Sequence, residues 1–79
     1  MTGAEFKKIR HRLGLSVLGF GRALGYEGQP NTISTTIRRY ECGMREIPPW
    51  IANLAFMYGK HGVPKQFLVD TDLEESGDD

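Results

Sequence analysis

GYEGQPNTISTTIRRYEC, residues 25–42, packs hydroxyls, amides and two adjacent arginines around isoleucines at positions 33 and 37. A spacing of four is about one helical turn, so Ile33, Ile37 and Tyr40 share one face of a helix. At about 100° per residue the same wheel turns Asn31, Thr32, Thr35, Arg38 and Arg39 outward, with Ser34 and Thr36 on the flanks. Gly28 and the Pro30-Asn31 pair read as a loop ending in a helix cap at Asn31 or Thr32, and Gly43 reads as a left-handed C-terminus. Arginine's planar fork matches guanine O6 and N7 in the major groove, asparagine can pair bidentately with adenine, and threonine offers a hydroxyl or a methyl group. Such a helix can read base edges. The plainer alternative is that Arg38 and Arg39 only solvate a surface helix, and this helix alone leaves both readings open.

Working outward, Thr2 and Glu5 have the spacing of a capping box, which starts a first helix at Gly3. Phe6, Ile9 and Leu13 give it an apolar face, Lys7, Lys8, Arg10, His11 and Arg12 occupy the rest, and Gly14 ends it. Ser16 caps a second helix running to Leu24, with Leu18 or Val17 and Phe20, Ala23 and Leu24 inward and Gly25 closing it. Gly19 and Gly21 each cost that helix roughly 1 kcal/mol against alanine, which points to close approach by another helix. Pro48 and Pro49 suit the first turn of a fourth helix with Ile51, Leu54, Ala55 and Tyr58 inside, ended by Gly59 and Gly62. Residues 63–69 are too short a stretch to assign. The expected fold is all-α, a small bundle of four to five helices over residues 1–69, followed by an acidic disordered tail at 70–79.

The chain carries ten basic and ten acidic residues, a balance that argues against a polyanionic partner. Position overrides the average: Asp70, Asp72, Glu74, Glu75, Asp78 and Asp79 leave residues 1–69 with ten bases against four acids, a net of +6. A basic body with an acidic tail points to a nucleic-acid surface. One cysteine, Cys42, permits no internal disulfide and suits a reducing compartment. No apolar run approaches a membrane span and no signal-peptide core is evident, so a cytoplasmic location is expected.

A short second helix, a glycine-terminated turn and a polar, basic third helix make a helix-turn-helix arrangement. LGLSVLGFGRALGY at 13–26 followed by ISTTIRRYECGMREIPPWIANLA at 33–55 resembles the Cro/C1-type (XRE-like) DNA-binding domain, with IRRYECG at 37–43 the most diagnostic element and residues 5–62 covered. The resemblance implies a lambda-repressor-like helix-turn-helix domain in a sequence-specific transcriptional regulator that binds double-stranded DNA. Matched from Ile37 and Glu41, it assigns base reading to Ser34, Thr35 and Arg39, with Thr32, Thr36 and Arg38 beside them. Single domains of this style include phage and mobile-element autorepressors, among them those encoded beside anti-CRISPR genes. Twelve steps from Gly25 to Ile37 are about twice the family's usual number, so EGQPNTIS lengthens the turn, the third helix, or both. Val17 stands where the family often has a phosphate-clamping glutamine, leaving backbone amides and Ser16 for that task.

Phosphate neutralisation should supply most of the affinity, with Arg10, Arg22, Arg45, Lys7, Arg12 and Arg38 as candidates, and Ser16 and Asn31 are expected as uncharged phosphate contacts. Tyr40 is expected in the core and Glu41 paired with Arg10 or Arg22. Cys42 reads as a small filler. His11 and His61 lack partners at ligand spacing, so no metal or cofactor is expected, and no catalytic constellation or small-molecule site is evident. Trp50, Phe56 and Met57 fall outside the inner stripe of the fourth helix, and Phe67 and Leu68 follow, more apolar surface than a small bundle buries. Some of these side chains are expected to pack under the C-terminal segment or to make a subunit contact, and the resemblance implies a homodimer, with two recognition helices about 34 Å apart on a pseudo-palindrome in the protein's own promoter region. The competing reading is an antitoxin-like or scaffold module whose C-terminal segment docks a protein partner.

Overall fold

The computed structural model describes residues 1–68, and the tail expected at 70–79 lies outside them. Among the described residues there are four helices and no strand: α1 (Gly3–Leu13), α2 (Val17–Ala23), α3 (Pro30–Glu41) and α4 (Pro49–His61), then a single 3₁₀ turn at Lys65–Phe67. α2 packs on α3, and α1 packs on both α3 and α4.

The helix ends follow local chemistry. The Thr2 Oγ1 accepts the Glu5 amide at 3.1 Å and Glu5 Oε1 accepts the Thr2 amide at 2.9 Å, a complete capping box that also holds the Glu5 carboxyl below its usual range. Gly14, at φ 74°, takes the left-handed conformation that ends α1, and the Ser16 Oγ accepts the Gly19 amide at 2.9 Å to cap α2. α3 does not start at Asn31 or Thr32. Pro30 is its first residue and Gln29 the cap residue, without a side-chain cap bond, because proline is pre-set for the first helical position and its missing N–H needs no partner. The long loop is therefore split between a turn at 24–29 and an added first turn of α3 that carries Ile33 into the core. α4 passes through Gly59 instead of ending there, since Gly59 lies against Ile9 of α1, and the helix stops at His61.

The core is made of Phe6, Leu15, Val17, Leu18, Phe20, Leu24, Ile33, Ile37, Tyr40, Ile47, Ile51, Ala55 and Tyr58, with the smaller Ala23 among them and Leu54 half-buried at its edge. Phe6 is its centre, with Phe20 at 5.0 Å and Tyr40 edge-on at 5.8 Å between ring centroids. Two close approaches fix α3. A Cβ on Gly21 would land on the Ile33 Cγ2 methyl and 3.2 Å from Ile37 Cγ1, the packing reason for a glycine inside α2. A Cβ on Gly3 would stand 2.5 Å from the Tyr40 and Glu41 carbonyl oxygens, so the positive end of α1 abuts the negative end of α3.

Candidate nucleic-acid interface

Burial of Ile33, Ile37 and Tyr40 leaves the opposite side of α3 open. There, Asn31, Thr32, Thr35, Thr36, Arg39 and Arg45 line one shallow depression of about 320 Å³. Every lining side chain carries hydrogen-bonding groups, two are guanidinium, and no carboxylate is among them. Arg45 is recruited from beyond the helix by backbone bonds: the Arg39 carbonyl accepts the amides of Met44 at 3.0 Å and Arg45 at 3.2 Å, folding the turn back beside Arg39. The Thr36 hydroxyl donates to the Thr32 carbonyl one turn earlier at 2.9 Å, so toward a ligand it offers only its lone pairs.

Two expected site residues are buried. Ser34 is 7% exposed and belongs to the buried side of α3, one step from Ile33, so it is not among the side chains open to a base edge. Arg10 is not a phosphate contact, being 1% exposed and committed to the interior. Its Nε donates to Glu41 Oε2 at 2.7 Å, its Nη2 to Oε1 at 3.4 Å and its Nη1 to the Leu15 carbonyl at 3.0 Å. The alternatives Arg10 and Arg22 for the partner of Glu41 thus resolve to Arg10, which ties α1 to the last residue of α3.

The remaining expected residues divide. Arg38 points away from the depression, into a second cavity of about 280 Å³ with Lys7, Val17, Glu41 and Cys42. Ser16, half-buried, spends one acceptor lone pair on its own helix cap and keeps its O–H as a donor, and Val17 is wholly in the core. Arg22 is half-buried with its Nε enclosed and unpartnered among the described residues. Lys7 and Arg12 are exposed on α1, and Arg12 borders a cleft with Phe56 of α4 rather than α3. Trp50, Phe56, Met57, Phe67 and Leu68 are all exposed. Sequence reasoning missed the support behind α3: the Tyr26 and Tyr40 hydroxyls meet at 2.7 Å, and the Tyr58 hydroxyl donates to the Ala23 carbonyl at 2.7 Å. Burial and then the Tyr40 hydroxyl push the Tyr26 phenol up, with the Arg45 charge opposing, and burial pushes Tyr58 up.

Compared with known proteins, the chain matches no family model, and no curated protein or solved structure matches it. Among the described residues, no helix is long and apolar enough to cross a membrane, and no three His, Cys, Asp or Glu side chains group as a metal site would.

Proposed function

We propose that the protein is a sequence-specific DNA-binding regulator of the helix-turn-helix kind, a homodimeric repressor acting on a pseudo-palindromic operator in its own promoter region. α2 and α3 form the reading unit, and α3 lies in the major groove. The carrying observation is the depression on the open face of α3, where six polar side chains converge without a carboxylate. In this reading Arg39 pairs with guanine O6 and N7, Thr35 meets a base edge or a thymine methyl, and Asn31 and Thr32 act at the helix start. Arg45, beside them, neutralises phosphate.

Rigid mounting supports the same reading. The helix that reads a groove must hold its angle, and α3 is fixed by Ile33 against Gly21 at one end and by Arg10 on Glu41 at the other. The body of residues 1–69, at +6, attracts a polyanion. Phe56, Met57, Phe67 and Leu68 give a second copy apolar surface to cover. Selection of bound duplexes from a random DNA pool tests the reading: an enriched motif of two related half-sites, about one duplex turn apart, is expected. Failure to enrich any sequence, even at low salt, removes it.

A further inference from the structure

The depression that holds Thr35, Arg39 and Arg45 takes up one flank of the open face of α3. Thr35 lies three residues before Arg38 and four before Arg39, so the two arginines diverge to either side of it, about 100° apart on the helix wheel. Both are exposed. On the other flank Arg38 borders the cavity of about 280 Å³ that Lys7, Val17, Glu41 and Cys42 also line. α1 brings Lys7 there. Gly3, Lys7 and Arg10 follow one another at single-turn steps along one stripe of α1, and the residues on either side of Lys7 are both fixed to the end of α3. Gly3 lies against the Tyr40 and Glu41 carbonyl oxygens, and Arg10 holds the Glu41 carboxylate. Glu41 is the one carboxylate among the lining residues, and both of its oxygens accept from Arg10, so Lys7 and Arg38 leave the cavity cationic.

We propose that this cavity seats a phosphate of the DNA backbone, held by the Lys7 ammonium and the Arg38 guanidinium, on the strand opposite the one that Arg45 meets. The inference rests on the reading of α3 as a DNA-binding helix, and it moves Arg38 from base reading to the backbone. Width selects this partner. An α-helix with its side chains is about 10–12 Å across and the major groove about 12 Å wide, so a helix lying in the groove turns each flank toward a different strand. Each flank of α3 carries one cation from outside the helix, Arg45 from the turn that follows it and Lys7 from α1. Two cationic flanks with a polar ridge between them suit a ligand with two anionic walls and readable edges between the walls, which a duplex has and a single free anion lacks.

The test uses the full chain and its selected duplex, made as a series in which one phosphate at a time, on either strand, is replaced by an uncharged methylphosphonate linkage. Filter binding gives affinities for the wild type, Lys7→Ala, Arg38→Ala, Arg38→Lys and Arg45→Ala, each checked for folding by circular dichroism. Expected in Lys7→Ala and Arg38→Ala are about three- to tenfold weaker binding, a logarithmic salt slope reduced by about one and an unchanged selected sequence, with Arg38→Lys keeping most of the affinity. One uncharged linkage should weaken the wild type and leave Lys7→Ala and Arg38→Ala little further affected, and the linkage that behaves so with Arg45→Ala should lie on the other strand. An altered base preference in Arg38→Ala, undiminished sensitivity to every linkage in both variants, or a shared linkage or strand with Arg45 overturns the inference and leaves the DNA-binding reading standing. Absence of binding to any duplex overturns both.

Discussion

Removing Glu41 should cost this protein most of its stability. Arg10 is almost fully enclosed, and its three donor nitrogens are aimed at fixed places: Nε and Nη2 at the Glu41 carboxylate, Nη1 at the Leu15 carbonyl. Side-chain exposure of 2% for Arg10 and 8% for Glu41 puts the pair among buried ion pairs, where breaking one partner costs about 3–5 kcal/mol. Domains have about 5–15 kcal/mol in total, and one of 79 residues stands toward the low end. Glu41→Ala should therefore lower the urea midpoint steeply while the dependence on urea, which reports the surface exposed, stays the same. The double variant Arg10→Met with Glu41→Leu strands no charge and should recover most of the loss, since apolar replacements of buried pairs are often neutral. Unfolding followed by helical circular dichroism on the wild type, Arg10→Met, Glu41→Leu and the double variant closes the cycle, with Glu41→Ala measured beside it. A loss below about 1 kcal/mol in Glu41→Ala, the range of surface pairs, would refute the reasoning and remove this pair as the anchor of α3.

Gly21→Ala gains about 1 kcal/mol of helix propensity but drives a methyl into Ile33, an overpacking cost of about 1–3 kcal/mol. Net destabilisation is expected in thermal unfolding, and a stabilised variant would mean that α2 and α3 are not so closely packed. Tyr26 and Tyr58 have phenols raised above the ordinary value of 10.0 for Tyr, so the folded chain keeps protons that the unfolded chain releases. Their contribution is whole below about pH 10 and is lost as pH climbs beyond it; Tyr26→Phe with Tyr58→Phe should flatten that alkaline fall in stability, and an unchanged slope counts against it. Operator affinity should drop steeply with salt, and Arg45→Ala should reduce the logarithmic salt slope by about one while leaving the selected sequence as it was. An altered sequence preference would instead place Arg45 on a base.

The sequence made the locally determined features legible. Thr2 with Glu5, Gly14 and Ser16 mark helix ends through bonds between residues three or four apart, and the aliphatic stripe at 33, 37 and 40 reads directly as a buried face. Competition between local signals accounts for the start of α3, where Pro30 at the first position prevails over a polar cap at Asn31 or Thr32. Longer-range features were hidden. Arg10 is one base among five polar neighbours on α1, and only Glu41, 31 residues away, makes it an interior residue. Ser34 sits on a flank of the wheel, and whether a flank is covered depends on how the neighbouring helices lie across α3. Gly59 carries an ordinary stop signal, but its use as a contact point for Ile9 requires the position of α1. The wheel turns Thr35 and Arg39 to one open side, and the addition of Arg45 beside them depends on the backbone turn that closes on the Arg39 carbonyl.

Reversing one charge on each of two faces tests most directly whether the open side of α3 is where DNA binds. Arg39→Glu and Arg12→Glu change net charge equally, but Arg39 lines the depression and Arg12 borders the α1–α4 cleft. With both variants folded, filter binding to the selected duplex at one salt concentration should show Arg39→Glu weakened by at least about tenfold, and Arg12→Glu little changed. Equal losses in the two variants, or the larger loss in Arg12→Glu, would contradict the assignment of the DNA-binding face to α3.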